Sequence, residues 1–311
     1  MTRPRAPLRP LVPVALAAAL LASAALAQPV PGVPGGPGVA ASLPGQAVTV
    51  RSLFDDPAAP PVLIAAHRAN SGRVLPRLLD WTFNRKSGPA SRAENSLAAI
   101  DAAIAAGAHI VEIDVRHTRD GVLVLMHDDD LKRTTDRRGK VEDLAWAEVQ
   151  QARLLPTGRI PTLEEALRHA RGRVVFDLDL KTDRIDAVVS AIQAADARES
   201  VLVFESNRAH LLRVKQLDPA IEVMPRARDQ AEALALIADP VLRPKVVHLD
   251  GPKDLAPPLL QAARDAGVRL WVNALGPKDM LGLRGFYANL IRKGAGVIQT
   301  DRPACVASAA R

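Results

Sequence analysis

Short apolar runs recur along the chain from Pro60 onward, and longer stretches with helical spacing separate most of them. The runs are Val62–Ala66, Ile110–Val115, Val122–Met126, Val174–Leu180, Val201–Phe204, Ile221–Met224, Val246–Leu249, Leu270–Val272 and Val297–Gln299. Unbroken apolar runs of this kind suit strands buried on both faces, as in a parallel sheet. The intervening stretches are rich in Ala and Leu and place residues such as Leu97, Ile100 and Ile104 at helical spacing. Thr162-Leu-Glu-Glu165 has the capping-box pattern that opens a helix. Strands alternating with helices over about 250 residues predict an α/β fold, a (β/α)8 TIM barrel. Nine runs are one too many for it. Ile110–Val115 and Val122–Met126 are joined by a short segment containing Asp120-Gly121, a hairpin signal with no room for a crossover helix. The second of the two is therefore expected as a short β arm after the second strand, which leaves eight strands for the barrel. A doubly wound sheet would alternate in the same way, but the first turn lacks its Gly-rich fingerprint.

The start of the chain follows neither period. Residues 1–27 combine a basic start (Arg3, Arg5, Arg9), an apolar stretch from Leu11 to Leu26, and a small-x-small end at Ala25-Leu26-Ala27. That is the pattern of a cleaved signal peptide, and the apolar run is short for a membrane span. No cysteine follows the cleavage site and no Arg-Arg pair precedes it, so lipoprotein attachment and the twin-arginine route are not expected. The expectation is an exported protein, periplasmic or secreted by a bacterium, with no stable span in the mature chain. Residues 28–59 read as a Pro/Gly-rich tether and lead-in. The tether's glycines are no phosphate loop, since neither Lys-Ser/Thr nor flanking elements accompany them. Residues 60–311 form the expected barrel domain.

Composition narrows the function by exclusion. The 311 residues are 48% hydrophobic and 24% charged, an ordinary globular balance. Aromatics make up only 3%, a poor basis for stacking nucleic-acid bases. The net charge is +7, but three of the positive charges lie in the leader. The remaining field suits a small anionic substrate and does not call for nucleic acid. Cys305 is the only cysteine, which excludes an internal disulfide and a cysteine metal cage.

Active residues of such a barrel sit at the C-terminal ends of its strands. His67 and Arg68 end the first run. Glu112 and Asp114 end the second, and a period of two puts both carboxylates on one face. His127 and Asp128 end the arm, and Asp177, Asp179 and Lys181 end the next strand. Clustered carboxylates repel unless they hold a cation, and hard oxygen ligands without cysteine favour Ca²⁺ or Mg²⁺. Two histidines and two cations added to that set suit a phosphodiester: charge on the phosphoryl oxygens is neutralised while imidazoles move protons.

These residues resemble the glycerophosphodiester phosphodiesterase family, within the wider phosphatidylinositol phospholipase C-like barrels. The resemblance is carried by His67-Arg68, by Ala93-Glu94-Asn95-Ser96-Leu97, and above all by the long block from Gly107 to Leu144. Ile160–Leu167, the DLDLK stretch, Leu270-Trp-Val-Asn273 and Gln299–Pro303 add to it in the family's order. It implies metal-dependent hydrolysis of glycerophosphodiesters to sn-glycerol 3-phosphate and an alcohol. It further implies His67 and His127 as the acid/base pair, and Glu112, Asp114 and Asp179 as metal ligands. Arg68, Lys181, Glu94 and Trp271 fall at substrate or phosphate contacts. Ala69 stands where the family has glycine, Ala93 where it has proline, and Asp179 where it usually has glutamate. The link from Ala69 to Ala93 is longer than usual and basic, with Trp81 and Phe83, which suits a selector over the barrel mouth or a solvated loop.

Rival readings remain at this stage. A phospholipase D-like or lysophospholipid-directed enzyme would share the layout, and a barrel without catalysis would bind phosphodiester headgroups. Ser91-Arg-Ala-Glu94 is also a capping box for a helix through Ala106, so Glu94 has a structural alternative. Asp177 is either a neighbour of the ligands or a hydrogen-bond partner deep in the barrel. His248 is open to facing inward; His109, His117, His169 and His210 are assigned no role. Ser206 ends a strand without a nucleophile elbow, which argues against a serine hydrolase. Oligomeric state is not legible.

Overall fold

The computed structural model describes residues 47–70 and 93–311. The expected leader, the tether up to residue 46 and the 71–92 part of the basic link, with Trp81 and Phe83, lie outside the described residues. All nine apolar runs are strands: β1 Leu63–Ala66, β2 Ile110–His117, β3 Leu123–Leu125, β4 Val175–Leu180, β5 Val201–Glu205, β6 Glu222–Ala227, β7 Val246–Leu249, β8 Arg269–Asn273 and β9 Val297–Thr300. Eight of them run parallel in the circular order β1, β2, β4, β5, β6, β7, β8, β9, and β9 pairs back onto β1. The protein is a closed TIM barrel. β3 pairs antiparallel with β2, Val115 opposite Leu125, and the turn between them uses Gly121 at φ +85°. The arm is therefore a hairpin laid on the rim of β2.

Helices follow from the alternating pattern. α1 is Val50–Phe54, α2 Leu97–Ala105, α3 Trp146–Val149, α4 Leu163–His169, α5 Ile185–Ala194, α6 Arg208–Leu217, α7 Gln230–Ile237, α8 Pro257–Ala266, α9 Pro277–Met280, α10 Arg284–Arg292 and α11 Pro303–Ala309. The capping box at Thr162 forms: Thr162 Oγ1 accepts from Glu165 N–H at 3.1 Å, and Glu165 Oε2 accepts from Thr162 N–H at 3.0 Å. Outward strand residues such as Ile113, Leu178 and Val203 pack on helix residues such as Ile100, Leu167 and Val188. Among the described residues no helix is long and apolar enough to cross a membrane.

The barrel interior is filled from below. Leu63, Ile110, Val175, Leu202, Met224, Val246, Trp271 and Val297 point inward from successive strands and form one buried cluster with Val50 and Leu53 of α1. Thr49 and Ser52 cap α1, and Val48 N–H donates to Gly172 O at 2.9 Å. Arg269 donates to Pro60 O at 2.9 Å and lies 5.9 Å over the Phe54 ring. Residues 47–59, expected as lead-in, are thus the floor of the barrel. Two apolar side chains, too few to mark a run in the sequence, find their burial in the open end of the barrel.

His109 enters β2 from the same end, accepting Ile64 N–H on Nδ1 at 3.0 Å, while its Nε2 is buried without a partner. Burial, with Arg269 nearby, pushes its pKa down to about 4. The unfolded chain then binds the proton first as pH falls, so stability is full above pH 6.5 and drains away toward pH 4 by up to about 3 kcal/mol. His109→Asn keeps an acceptor for Ile64 without the charge. Its urea midpoint should fall less than that of the wild type between pH 7 and 4.5, and parallel decline would exclude His109 as a source of acid sensitivity.

Candidate active site

Stepping up each strand by two residues from the inward cluster reaches the barrel mouth. Ile110 leads to Glu112 and Asp114, Val175 to Asp177 and Asp179, Leu202 to Phe204, Val246 to His248, Trp271 to Asn273, and Val297 to Gln299. These residues, with His67, His127 and Lys181, line a cavity of about 420 Å³. The chemistry sits on the floor that the apolar cluster provides.

β2 and β4 are direct neighbours in register, Glu112 opposite Asp177 and Asp114 opposite Asp179. Glu112, Asp114 and Asp179 each present an oxygen within 4.8 Å of the others. A donor holds one oxygen of each. Glu112 Oε2 accepts Arg68 N–H at 2.6 Å and Gln299 Nε2 at 3.3 Å; Asp114 Oδ2 accepts Asn95 Nδ2 at 2.8 Å; Asp179 Oδ2 accepts Lys181 Nζ at 2.7 Å. Asp114 Oδ1 is buried with no hydrogen bond and lies 3.7 Å from Lys181 Nζ. Burial, then the charges of Asp114 and Asp179, push Glu112 well above the usual carboxylate range, and burial also raises Asp179 against the pull of Lys181. Three carboxylates, each offering a spare oxygen at one point, with Glu112 and Asp179 disfavoured as bare anions, fit a hard divalent cation.

Both histidines are backed by a carboxylate on Nδ1: Asp301 Oδ1 at 3.1 Å from His67, Asp128 Oδ1 at 2.8 Å from His127. A carboxylate there makes Nδ1 the donor and leaves Nε2 for proton exchange. Asp128 is held by Arg133 Nε at 2.6 Å. Burial opposes its ionisation, but the bonds to Arg133 and His127 prevail and bring its pKa down to about 2. Arg116 fixes the His127 main chain, donating from Nε and Nη2 to its carbonyl at 3.0 and 2.8 Å.

A tight turn carries His67 and Arg68. Arg68, Ala69 and Asn95 all take left-handed backbone conformations (φ 50°, 59° and 57°). Ala69 thus fills, at a strain of about 1 kcal/mol, a conformation that glycine adopts freely. The turn aims Arg68 N–H at Glu112, and Asn95 N–H closes it on Arg68 O at 3.0 Å.

Two expectations need correction. The capping role at Glu94 does not form, because α2 starts at Leu97 with Ser96 as its cap. Glu94 instead binds Arg68 Nη1 at 3.2 Å and Arg133 at 2.6 and 3.0 Å. Burial pushes its pKa up, but the Arg133 bonds and the two arginine charges hold it below the usual range. Trp271 does not contact the cavity. It is fully buried beneath it, its indole N–H directed to Asn273 Oδ1 at 3.3 Å and Gln299 Oε1 at 3.2 Å. Its place one step below Asn273 makes it part of the floor. Arg68, too, stands beside the cavity, its buried Nε without a hydrogen bond but in an ion pair with Asp114 Oδ2 at 3.7 Å.

The sequence reading assigned no role to Asn95, Asp301, Arg116 or Arg133. All four lie within segments already matched, and the step of two from Gln299 points to Asp301, but nothing local in the sequence marks the partners of Arg116 and Arg133. Asn95 grips Asp114 twice, by Nδ2 on the carboxylate and by Oδ1 from Asp114 N–H at 3.1 Å. Removing such an orienting partner typically costs 10–100-fold in metal affinity or activity. Asn95→Gly, which tolerates the backbone conformation, should show that loss as a higher half-saturating cation concentration. An unchanged cation dependence would count against the grip.

Fold and site together define a (β/α)8 barrel with an acidic mouth flanked by two carboxylate-backed histidines. Residues 67–272 match the model of the glycerophosphoryl diester phosphodiesterase family, and the chain belongs to that family. It is 40% identical over 120 residues to mouse (Mus musculus) glycerophosphodiester phosphodiesterase 1, covering 34% of this chain and 36% of that protein. A probable glycerophosphodiester phosphodiesterase 2 of Mycobacterium tuberculosis is 36% identical over 110 residues, 35% of this chain and 41% of the other. The chain thus spans well under two thirds of these curated relatives. Among solved structures, a glycerophosphodiester phosphodiesterase from Agrobacterium tumefaciens aligns with TM-score 0.63 and 23% identity over 79% of this chain and 99% of its own. An Oleispira antarctica phosphodiesterase, in complex with the product sn-glycerol-3-phosphate, aligns with TM-score 0.61 and 22% identity over 79% and 96%. At these identities the structures attest the fold.

Proposed function

We propose that this chain hydrolyses glycerophosphodiesters to sn-glycerol 3-phosphate and an alcohol, with a divalent cation held by Glu112, Asp114 and Asp179. The observation that carries the reading is the meeting of three carboxylates, Lys181 and both histidines in one cavity. Family membership and the product-bound Oleispira antarctica relative support it. When bound, the cation supplies positive charge to the phosphoryl oxygens. Hydrolysis places a water oxygen on phosphorus and releases the alcohol, so one proton leaves the attacking oxygen and one joins the leaving oxygen. His67 and His127, each with Nε2 available, serve those two transfers. Their backing carboxylates stabilise each imidazolium in turn. Lys181, in the cavity wall, and Arg68, beside Asp114, add charge against the phosphoryl oxygens.

The test is release of sn-glycerol 3-phosphate from glycerophosphocholine by the purified protein, with and without a chelator. Choline phosphate as the product, or turnover of no diester, would overturn the reading. The leader pattern of residues 1–27 further supports an exported protein cleaved after Ala27. N-terminal sequencing of the mature form should begin at Gln28.

A further inference from the structure

Asp177 faces Glu112 across the β2–β4 ladder, one step below Asp179, and lines the same cavity. It is only 2% exposed, and Oδ1 is buried with no hydrogen-bond partner. This sets it apart from its three acidic neighbours, each of which has one oxygen held by a donor. No described residue donates a hydrogen bond to either of its oxygens. The nearby cations are engaged elsewhere, Lys181 by Asp179 and Asp114, and Arg68 by Glu94. A buried carboxylate without partners is costly, and its neighbours add repulsion. A cation in the cavity would offset that cost.

The geometry points to Asp177 as a fourth carboxylate of the cation site, one that makes it a site for Ca²⁺ over Mg²⁺. The inference rests on the cation-dependent reading above. The oxygens of Asp177 stand outside the group of three that lie within 4.8 Å of one another, so a sphere that includes it is a wide one. Ca²⁺ accepts six to eight oxygens at about 2.3–2.6 Å in adaptable geometry. Mg²⁺ holds its ligands at about 2.0–2.1 Å in a strict octahedron, and usually takes one or two carboxylates beside its waters. A third ligand as short as Asp179 reaches less far into the cavity than glutamate would, which leaves room for the larger ion. Four carboxylates on two adjacent strands offer more charge and more oxygens than Mg²⁺ uses once substrate oxygens are added.

Isothermal titration of the metal-stripped full chain with CaCl₂ and MgCl₂ tests this without turnover. The wild type should bind Ca²⁺ at least about tenfold more tightly than Mg²⁺, and Asp177→Asn should lose most of that preference through weaker Ca²⁺ binding. A wild type that prefers Mg²⁺ overturns the inference with no variant required. Equal loss for both ions, or no loss for either, in Asp177→Asn overturns it while leaving the three-carboxylate site intact. Failure of the wild type to bind either ion overturns both the inference and the cation-dependent reading.

Discussion

His67→Ala and His127→Ala should each lower kcat on a glycerophosphodiester by about 10²–10⁴-fold, the range for loss of a positioned acid or base. The two losses need not add, since both groups act in one reaction. Each imidazole is partly exposed at the mouth and makes its hydrogen bond outward to Asp301 or Asp128, not into the apolar core. Circular dichroism and melting should therefore change little. KM should move less than kcat, because neither histidine is the main source of charge for the phosphate. A variant at either position that kept turnover within a few-fold of wild type would remove that imidazole from the proton transfers. Loss of the fold instead would show that the outward hydrogen bonds anchor the turn.

On the proposed reading, chelation should lower diester turnover by roughly 10³-fold or more, the several kcal/mol that a bound cation contributes to a developing phosphoryl charge. Ca²⁺ or Mg²⁺ added back should restore it. The same treatment should leave Glu112, Asp114 and Asp179 facing one another with only Lys181 and Arg68 as counter-charges, so the stripped protein should also melt lower than the loaded one. Asp114→Asn should reproduce the chelator's effect on turnover, since Asp114 provides the most buried of the three spare oxygens. Full activity in the presence of excess chelator would exclude a cation from the reaction.

The barrel was legible because its strands are buried on both faces, so each appears as an unbroken apolar run wherever it lies. The hairpin was legible because Asp120-Gly121 leaves too few residues for a crossover. The acids on β2 and β4 stood out as carboxylates embedded in apolar runs. What stayed hidden depends on partners distant in sequence. Glu94 matched a local capping pattern, yet its carboxylate is drawn away by Arg133, which only the fold brings near. Trp271 belonged to a matched motif, yet strand alternation places its ring one layer too deep. Arg116 reads as one more charge on a strand until the arm folds back and offers it the His127 carbonyl. Stepping by two along β7 to β9 would have found His248, Asn273 and Asp301, because alternation is a local property.

The helix Val50–Phe54 closes the barrel at the end where the strands begin, whereas the cavity opens where they finish. The lead-in from Ala47 therefore packs at the pole opposite the cavity mouth. A fluorophore or a solid support coupled through Asp56→Cys, in the exposed turn after that helix, sits at the far pole and leaves the cavity mouth unobstructed. Immobilisation at that position should thus preserve access for bulky diesters. Coupling through a residue of the β3 hairpin would place the linker beside the entrance itself.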